Sequence, residues 1–280
     1  MPRERVILVT GCSSGIGRAT ALEAAGRGHR VFATARNRND LADLERTANL
    51  ETLALDVTDG AAIRSCVDDA LSRAGRLDAL VNNAGYGQYG AAEEVTLEEW
   101  RAQFEVNLFG AIAMIQACLP AMRRQRAGTI VNVSSVSGRV AIPFAAPYSA
   151  SKHALEAVSD ALRIELSAFG VRVVLVEPGP IETRFTDRAR AMVGPLIARP
   201  GPYRELYALA ERAMEGDFQK GVQPPEAVAR VIVDAIEAGR PRPRYPVGMM
   251  SRALFPLKTA LPDRWLDGLM RRALRIRSTP

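Results

Sequence analysis

Short runs of apolar residues alternate with amphipathic segments along most of the chain. The apolar runs, rich in Val, Ile and Leu, lie at 5–10, 29–33, 52–55, 77–82, 128–134, 171–177 and 244–247. Apolar residues at helical spacing mark the segments 15–27, 40–48, 60–74 and 97–124. Near-continuous apolar runs of this kind are typical of parallel strands that helices cover on both faces. The pattern therefore predicts an α/β fold with a doubly wound parallel sheet, the Rossmann arrangement, in which ligands bind at the carboxyl ends of the strands.

The rhythm of strands and helices predicts one main domain with two additions. No segment rich in Gly, Ser and Pro divides the chain before about residue 180, so residues 1–250 are expected to form a single domain. Between 180 and 221 the rhythm is lost among several prolines and glycines. We expect this stretch to be a flap over the ligand site, with an ordinary surface insertion as the alternative. Residues 251–280 are expected to form a C-terminal extension.

The excess of positive charge lies in the C-terminal part of the chain. From residue 240 to 280 there are ten Arg or Lys against two Asp, although the whole chain has a net charge of only +6. Spacings near four place Leu261, Trp265, Leu269 and Ile276 on one predicted helical face, with Arg264, Arg271, Arg272 and Arg275 largely elsewhere. Such a basic amphipathic helix suits contact with an anionic membrane surface, or packing on its own domain or on a neighbouring subunit.

Composition excludes several classes of protein. With 280 residues, of which 48% are hydrophobic and 24% charged, the chain has an ordinary globular composition, and no apolar run approaches the roughly 18 residues of a membrane span. Three distant cysteines and two histidines suggest neither disulfides nor a metal site, so a reducing, cytoplasmic location is expected. Nucleic-acid binding is not expected, because the basic segment is short and the rest of the chain is slightly acidic.

A glycine-rich turn follows the first predicted strand. Residues 10–17 read Thr-Gly-Cys-Ser-Ser-Gly-Ile-Gly and open the first predicted helix. Glycines here permit a tight turn and a close approach of the backbone to a pyrophosphate, whose charge the free amides of the helix start attract. This turn predicts a dinucleotide site.

The end of the second predicted strand bears on which dinucleotide binds. A carboxylate at this point commonly accepts a hydrogen bond from a free ribose 2′-hydroxyl, but the chain has Ala35 there, followed by Arg36. The planar guanidinium of Arg36 suits a 2′-phosphate, which favours NADP(H) over NAD(H). The alternative is that Arg36 is simply a solvated arginine at a helix start.

Tyr148 and Lys152 lie four residues apart, on one face of a predicted helix. A free phenol has a pKa of about 10, so a tyrosine that transfers protons needs a nearby positive charge to favour its anion. Lys152 is expected to supply that charge.

Four motifs in order resemble those of the short-chain dehydrogenase/reductase family. They are the Thr-Gly-x3-Gly-x-Gly turn of 10–17, Asn-Asn-Ala-Gly at 82–85, Tyr-x3-Lys at 148–152 with Ser135 thirteen residues before the tyrosine, and Pro-Gly at 178–179 followed by Thr183. The resemblance implies the catalytic set Asn107, Ser135, Tyr148 and Lys152. It also implies a cofactor site formed by Gly11, Ser13, Ser14, Gly15, Ile16, Gly17, Arg36, Asp56, Val57, Asn83, Ala84, Gly85, Tyr148, Lys152, Pro178, Gly179, Ile181 and Thr183.

The resemblance further implies an oxidoreductase that transfers a hydride between the nicotinamide and a carbonyl or secondary alcohol. The Ala-Thr-x-Arg end of the second strand and Ile142-Pro143-Phe144 look like the branch of hydroxysteroid and retinol dehydrogenases, so the substrate is expected to be lipophilic. An acyl-carrier-protein-type ketoreductase and a non-catalytic NADP-sensing protein are the alternatives. By the same resemblance a homo-oligomer is expected.

Overall fold

The computed structural model describes residues 3–198, 200–215, 221–274 and 276. Within them, seven parallel strands form one sheet in the order β3-β2-β1-β4-β5-β6-β7. The strands are β1 Val6–Val9, β2 Arg30–Ala35, β3 Leu50–Ala54, β4 Ala79–Asn82, β5 Gly128–Val133, β6 Val171–Pro178 and β7 Arg244–Val247. The predicted doubly wound parallel sheet is confirmed.

Helices cover both faces of the sheet. They are α1 Gly15–Gly26, α2 Gly60–Ala74, α3 Leu97–Phe104, α4 Gly110–Gln125, α5 Ala146–Glu165, α6 Arg184–Ala198, α7 Arg204–Glu215, α8 Pro225–Glu237, α9 Met249–Ala260 and α10 Asp263–Ala273. Successive strand residues point to opposite faces, so Ile7 belongs to the core beneath α1 and α8, whereas Leu8 belongs to the core beneath α2 and α4. Both faces are buried, and this explains the near-continuous apolar runs.

The predicted helix at 40–48 is wrong. Two short 3₁₀ helices, Arg38–Leu41 and Leu44–Arg46, stand in its place. Each turn buries one leucine, Leu41 in the first and Leu44 in the second.

The predicted helix at 97–124 is interrupted. A π-helical turn, Glu105–Phe109, separates α3 from α4. By length and hydropathy the stretch Leu97–Gln125 would suffice to cross a bilayer, but Met114 and Cys118 are fully buried in the core beneath the sheet. We therefore assign it as a core helix.

The region 180–221 is more regular than its sequence suggests. The prolines and glycines led us to expect a loss of helical rhythm, yet α6 and α7 occupy most of the described part of this stretch. Pro195 lies inside α6, while Pro200, Gly201 and Pro202 fall in the connection between the two helices. Apolar and aromatic contacts between α6, α7 and the loop after β4 hold the helices in place.

The predicted apolar face of the C-terminal extension is buried only in part within this chain. In α10 the buried side chain is Leu266, and Leu274 just beyond the helix is buried too, whereas Trp265 is 61% exposed and Leu269 is 47% exposed. Helical neighbours at spacing four share a face, so Leu266 and Leu274 pack on the domain, whereas Trp265 and Leu269 face solvent. Arg275 lies outside the described residues, and Ile276 is half-buried.

Candidate active site

The glycine-rich turn is packed directly against the end of β4. Gly11 has a φ of +73°, and a Cβ there would lie 2.8 Å from the Cα of Ala84. A Cβ on Gly17 would lie 2.4 Å from Nδ2 of Asn83. The hydroxyl of Thr10 accepts hydrogen bonds from the backbone amides of Asn83 and Ala84, each at 3.0 Å. Glycine is therefore required where the turn and the Asn-Asn-Ala-Gly segment meet.

The start of α1 is suited to an anion. Ser14 occupies the N-cap position with an extended backbone, and its side chain makes no capping hydrogen bond. No acidic residue lies in the first turn of α1. The positive end of the helix dipole and its free amides are thus available to a pyrophosphate, which agrees with the predicted cofactor site.

Arg36 and Asp56, two residues of the predicted cofactor site, follow β2 and β3. Ala35 is buried at the end of β2, and Arg36 beside it is exposed and forms no salt bridge with any described residue. The backbone and hydroxyl of Thr58 hold the pKa of Asp56 below its usual range, and Arg36 contributes to the same effect. Among the described residues Arg36 forms no salt bridge, so its guanidinium is available to a phosphate.

One cavity of about 1440 Å³ joins the cofactor residues to the proposed catalytic residues. It is lined by Gly11, Ser13, Ser14, Gly15, Ile16, Arg36, Asp56, Val57, Asn83, Ala84, Gly85, Ser135, Tyr148, Lys152, Pro178, Gly179, Ile181 and Thr183. Two predicted residues do not line it, Gly17 and Asn107. Gly17 packs closely against Gly11 and Asn83 instead, and Asn107 lies behind the residues that line the cavity.

Tyr148, Lys152 and Ser135 converge on this cavity from two elements. Tyr148 and Lys152 lie in the first two turns of α5, and Ser135 follows β5. The Lys152 ammonium donates a 2.8 Å hydrogen bond to the carbonyl of Val133 and lies 5.9 Å from the centre of the Tyr148 ring. Tyr148 and Lys152 therefore both line this cavity.

Burial controls the protonation of this pair. It raises the pKa of Tyr148 to about 12, and the neighbouring Ser135 hydroxyl opposes the shift. It lowers the pKa of Lys152 to about 8, and the charge of Glu156 opposes that shift. The expected lowering of the tyrosine pKa by Lys152 is not the dominant influence within the protein, because desolvation of the phenolate is larger. Tyr148 is accordingly a neutral proton donor at pH 7.

Asn107 holds the backbone next to the site. It lies in the π-helical turn, where its carbonyl oxygen accepts a 3.0 Å hydrogen bond from the amide of Tyr86 and its amide donates to the carbonyl of Tyr86 at 2.9 Å. The same amide lies 3.3 Å from the hydroxyl of Ser151 on α5. π-helical turns within α-helices are frequent at functional sites. Such a turn moves a side chain away from the position it would have on a regular α-helix.

Sequence reasoning missed the aromatic wall of the cavity. The residues concerned are Tyr86, Tyr89, Phe185 and Tyr207, all of which line it. The ring of Phe185 lies 5.3 Å from the ring of Tyr148, and the hydroxyl of Tyr207 accepts a 2.7 Å hydrogen bond from the amide of Ala91. Two tyrosines directly after the Asn-Asn-Ala-Gly motif were the available signal; nothing in the sequence indicated that α6 and α7 would fold back on them.

Comparison with known families and curated proteins agrees with this geometry. A family model described as short chain dehydrogenase matches residues 5–194. The chain is 37% identical to a 3-ketodihydrosphingosine reductase of Bacteroides thetaiotaomicron over 97% of both chains. It is 36% identical to an NADPH-dependent 3-dehydrocapnine reductase of Ornithobacterium rhinotracheale, over 97% of this chain and 98% of that one. It is also 36% identical to retinol dehydrogenase 8 of Homo sapiens, over 91% of this chain and 85% of that one.

Solved structures of similar proteins share the whole architecture. A short-chain dehydrogenase from Streptomyces avermitilis superposes with a TM-score of 0.81 at 33% identity, covering 97% of this chain and 96% of the other. A metagenomic short-chain oxidoreductase in complex with NADP has a TM-score of 0.69 at 29% identity, covering 87% and 96%. A short-chain dehydrogenase/reductase from Burkholderia phymatum in complex with NAD has a TM-score of 0.79 at 26% identity, covering 100% and 98%.

Proposed function

The chain belongs to the short-chain dehydrogenase/reductase family, and from this premise we propose that it is an NADP(H)-dependent oxidoreductase acting on a lipophilic carbonyl or secondary alcohol. The observation that carries the proposal is the single cavity in which Tyr148, Lys152 and Ser135 meet the glycine-rich turn. Family membership supports a nicotinamide cofactor and a reaction between a carbonyl and an alcohol. The cofactor and substrate preferences rest on the arguments below.

Each of the proposed catalytic residues has its own role in the reaction. The nicotinamide, when bound, supplies or accepts the hydride. The hydroxyl of Ser135 holds the reacting oxygen, and the neutral phenol of Tyr148 donates the proton during reduction. Lys152 would hold the nicotinamide ribose and place its positive charge beside Tyr148 as the phenol ionises. Asn107 would support a water that continues the proton relay, as in other members of the family.

Preference for NADP(H) is supported by the end of β2. Ala35 offers no carboxylate to a ribose 2′-hydroxyl, and the exposed guanidinium of Arg36 is free to pair with a 2′-phosphate. One similar reductase is described as NADPH-dependent and one similar structure contains NADP, whereas another contains NAD. Ala35 and Arg36 of this chain favour NADP(H), as in the first two of these proteins.

A lipophilic substrate is supported by the far wall of the cavity. Beyond Tyr148 the wall is aromatic and aliphatic, formed by Tyr89, Ile142, Phe144, Phe185, Met192, Val193, Tyr207 and Leu274. Apolar walls with a few polar groups at one end are typical of sites that hold an apolar molecule and orient one functional group. The similar proteins named above as reductases of ketodihydrosphingosine and dehydrocapnine, and as a retinol dehydrogenase, favour the same class.

A substrate panel tests this function. Purified protein is incubated with NADPH and aliphatic, aromatic, steroid, retinoid and carrier-bound acyl carbonyls, and in reverse with NADP⁺ and the corresponding alcohols, while NADPH absorbance is followed. We expect turnover with long-chain or polycyclic carbonyls and poor turnover with their short, water-soluble counterparts. Activity confined to carrier-bound acyl substrates would favour the acyl-carrier-protein-type ketoreductase. A silent panel with intact NADPH binding would favour the NADP-sensing protein.

We further propose an anionic membrane surface as a partner of α10. Trp265 and Leu269 face solvent, and Arg264, Arg271 and Arg272 of the same helix are exposed around them. Aromatic and aliphatic side chains flanked by arginines suit the interface of an anionic bilayer. Leu274, at the end of this segment, lines the substrate cavity, so the surface lies beside the site that would take up a lipophilic molecule.

Two expectations about the working form of the protein complete the proposal. We propose a cytoplasmic location, because Cys12, Cys66 and Cys118 are all buried free thiols, as suits a reducing compartment. Cell fractionation tests this. We also propose a homo-oligomer, by analogy with the family, and sedimentation analysis of the full chain tests that.

A further inference from the structure

A buried group of charges lies behind Lys152, on the side away from the cavity. Glu156 lies one turn after Lys152 on α5, and Glu177 lies near the end of β6, directly before Pro178. Glu177 is 0% exposed and Glu156 is 6% exposed. Two carboxylates so placed are costly unless they are partnered or serve a purpose.

The arginines nearby do not satisfy Glu177. Arg244 on β7 gives its hydrogen bonds to Glu156 at 3.1 Å and to Asp160 at 2.6 Å. Its nearest approach to Glu177 is 3.6 Å, and that of Arg139 is 3.8 Å. Among the described residues, neither oxygen of Glu177 accepts a hydrogen bond. Glu177 is thus the least neutralised member of the group.

Arg139 is held at this distance by the C-terminal extension. Its guanidinium lies over the ring of Phe255 on α9, 4.4 Å from the ring centre. A cation stacked on an aromatic ring is attracted to the ring face and is less free to approach a carboxylate. The extension therefore reaches the surroundings of the catalytic lysine.

The charge of Glu156 acts on the protonation of both Lys152 and Glu177. Burial raises the pKa of Glu177 to about 7, and the charge of Glu156 raises it further, against the charges of Arg139 and Arg244. Burial also raises the pKa of Glu156, which Ser134, Arg244 and Arg139 lower again. For Lys152 burial favours the neutral amine, and Glu156 is the group that opposes it.

We propose that Glu156 and Glu177 are positioning residues whose buried carboxylates hold Lys152 in its ammonium form. Glu156 acts directly, because it follows Lys152 by one helical turn and keeps its charge through Arg244. Glu177 acts from behind Glu156 and adds a second negative charge at the pH where Lys152 titrates. This inference deepens the proposed function, since a neutral Lys152 would no longer favour the ionised phenol of Tyr148.

The sign of the effect follows from the charges. A negative neighbour stabilises the ammonium, so removing it lowers the pKa of Lys152. As pH rises, activity that depends on the ammonium is then lost at a lower pH than in the wild-type protein. Glu156→Gln is expected to lower the pKa of Lys152 by about one unit. Glu177→Gln is expected to lower it by less, because Glu156 lies one helical turn from Lys152 whereas Glu177 lies on a different element, β6.

Titration of the lysines by NMR measures this directly. The chain has only three lysines, Lys152, Lys220 and Lys258, so ¹³C-lysine labelling of the full chain gives few signals, and Lys220→Arg and Lys258→Arg assign them. Glu156→Asp retains the charge and should leave the titration of Lys152 near its wild-type value. Asp160→Asn is the matched control, because Asp160 also binds Arg244 but lies a further turn away and is half-exposed. It should leave Lys152 unchanged.

Two outcomes would overturn the inference. One is an unchanged Lys152 titration in Glu156→Gln, or in Glu177→Gln if the first variant does not fold. The other is an equal shift in Asp160→Asn, which would mean that the effect is a structural one through Arg244. The alkaline limb of the pH profile for carbonyl reduction should move with the NMR titration. If the wild-type protein reduces no carbonyl while the titration shifts as expected, the proposed function fails and the inference on Lys152 stands.

Discussion

At the scale of residues, the hydroxyl of Tyr148 is the group on which the proposed reaction depends. It is buried beside Phe185, and burial raises its pKa to about 12 against the opposing effect of Ser135, so the phenol is protonated and ready to donate in the reductive direction. In the oxidative direction it must lose a proton, and the cost of a buried phenolate must then be offset by Ser135 and by the charge of Lys152. The residues that surround the hydroxyl therefore matter as much as the hydroxyl itself.

Replacing Tyr148 by Phe tests this role. Removing the proton donor while keeping the ring should lower turnover by at least about a hundredfold, because general acid catalysis is lost. NADPH binding, measured by fluorescence titration, should change little, since the ring still packs against Phe185. A variant that keeps a tenth of the wild-type rate would refute the assignment.

Replacing Arg36 by Asp tests the cofactor preference. The charge reversal removes the partner of a 2′-phosphate and supplies a carboxylate for a free 2′-hydroxyl. We expect kcat/KM for NADPH to fall by about tenfold to a hundredfold, the value of a charged hydrogen bond, while that for NADH rises. Arg38→Asp is a neighbouring control that the structure pairs with Glu45 on the protein surface, away from the cavity lining. Unchanged Michaelis constants for both cofactors in the Arg36 variant would remove Arg36 from the site.

At the scale of elements, the contact between α1 and the end of β4 determines the shape of the cofactor turn. Gly17 lies in the first turn of this helix, where an added Cβ would meet the carbonyl oxygen of Gly11 and the side chain of Asn83. Gly26 ends the same helix, and a Cβ there would meet no atom within 4 Å. The structure therefore has no room for a side chain at Gly17 but has room for one at Gly26, although both residues belong to α1.

Alanine substitutions at these two glycines should have opposite effects. Gly17→Ala forces the turn away from Asn83 and should lower the free energy of unfolding by about 1–3 kcal/mol, the cost of overpacking, and weaken NADPH binding. Gly26→Ala should be neutral or stabilise the protein by up to about 1 kcal/mol, because alanine loses less backbone entropy in a helix. Chemical denaturation of both variants measures this, and equal effects at the two positions would contradict the packing argument.

At the scale of the whole molecule, the C-terminal extension joins three features that are distant in the sequence. Phe255 on α9 stacks on Arg139, Leu274 lines the cavity, and Trp265 on α10 faces solvent. The extension thus connects the interior of the catalytic domain to an exposed basic surface.

Vesicle binding tests the role of that surface. The full chain should sediment with anionic phosphatidylglycerol vesicles at low salt, and less with neutral phosphatidylcholine vesicles, because the arginines of α10 add an electrostatic attraction. Trp265→Ala combined with Leu269→Ala should lose most of this binding, whereas Ile164→Ala, at an exposed apolar residue of α5, should not. No binding of the wild-type chain to anionic vesicles at low salt would end the proposal. A change of oligomeric state in the double variant would point to a neighbouring subunit instead.

The sequence by itself determined the sheet, the cofactor turn and the shared helical face of Tyr148 and Lys152, because the alternation of strands and helices, glycine spacing and helical periodicity are local properties of the chain. The place of Ser135 beside them was implied by the family resemblance. Only the tertiary structure decided that 40–48 forms 3₁₀ turns, that α6 and α7 close the cavity with aromatic side chains, and that Trp265 faces outward while Leu266 is buried. It also decided that Glu177 and Glu156 share one buried space with Arg244. These outcomes depend on which surfaces meet across long sequence separations and on how much water is excluded where they meet, and local patterns carry neither.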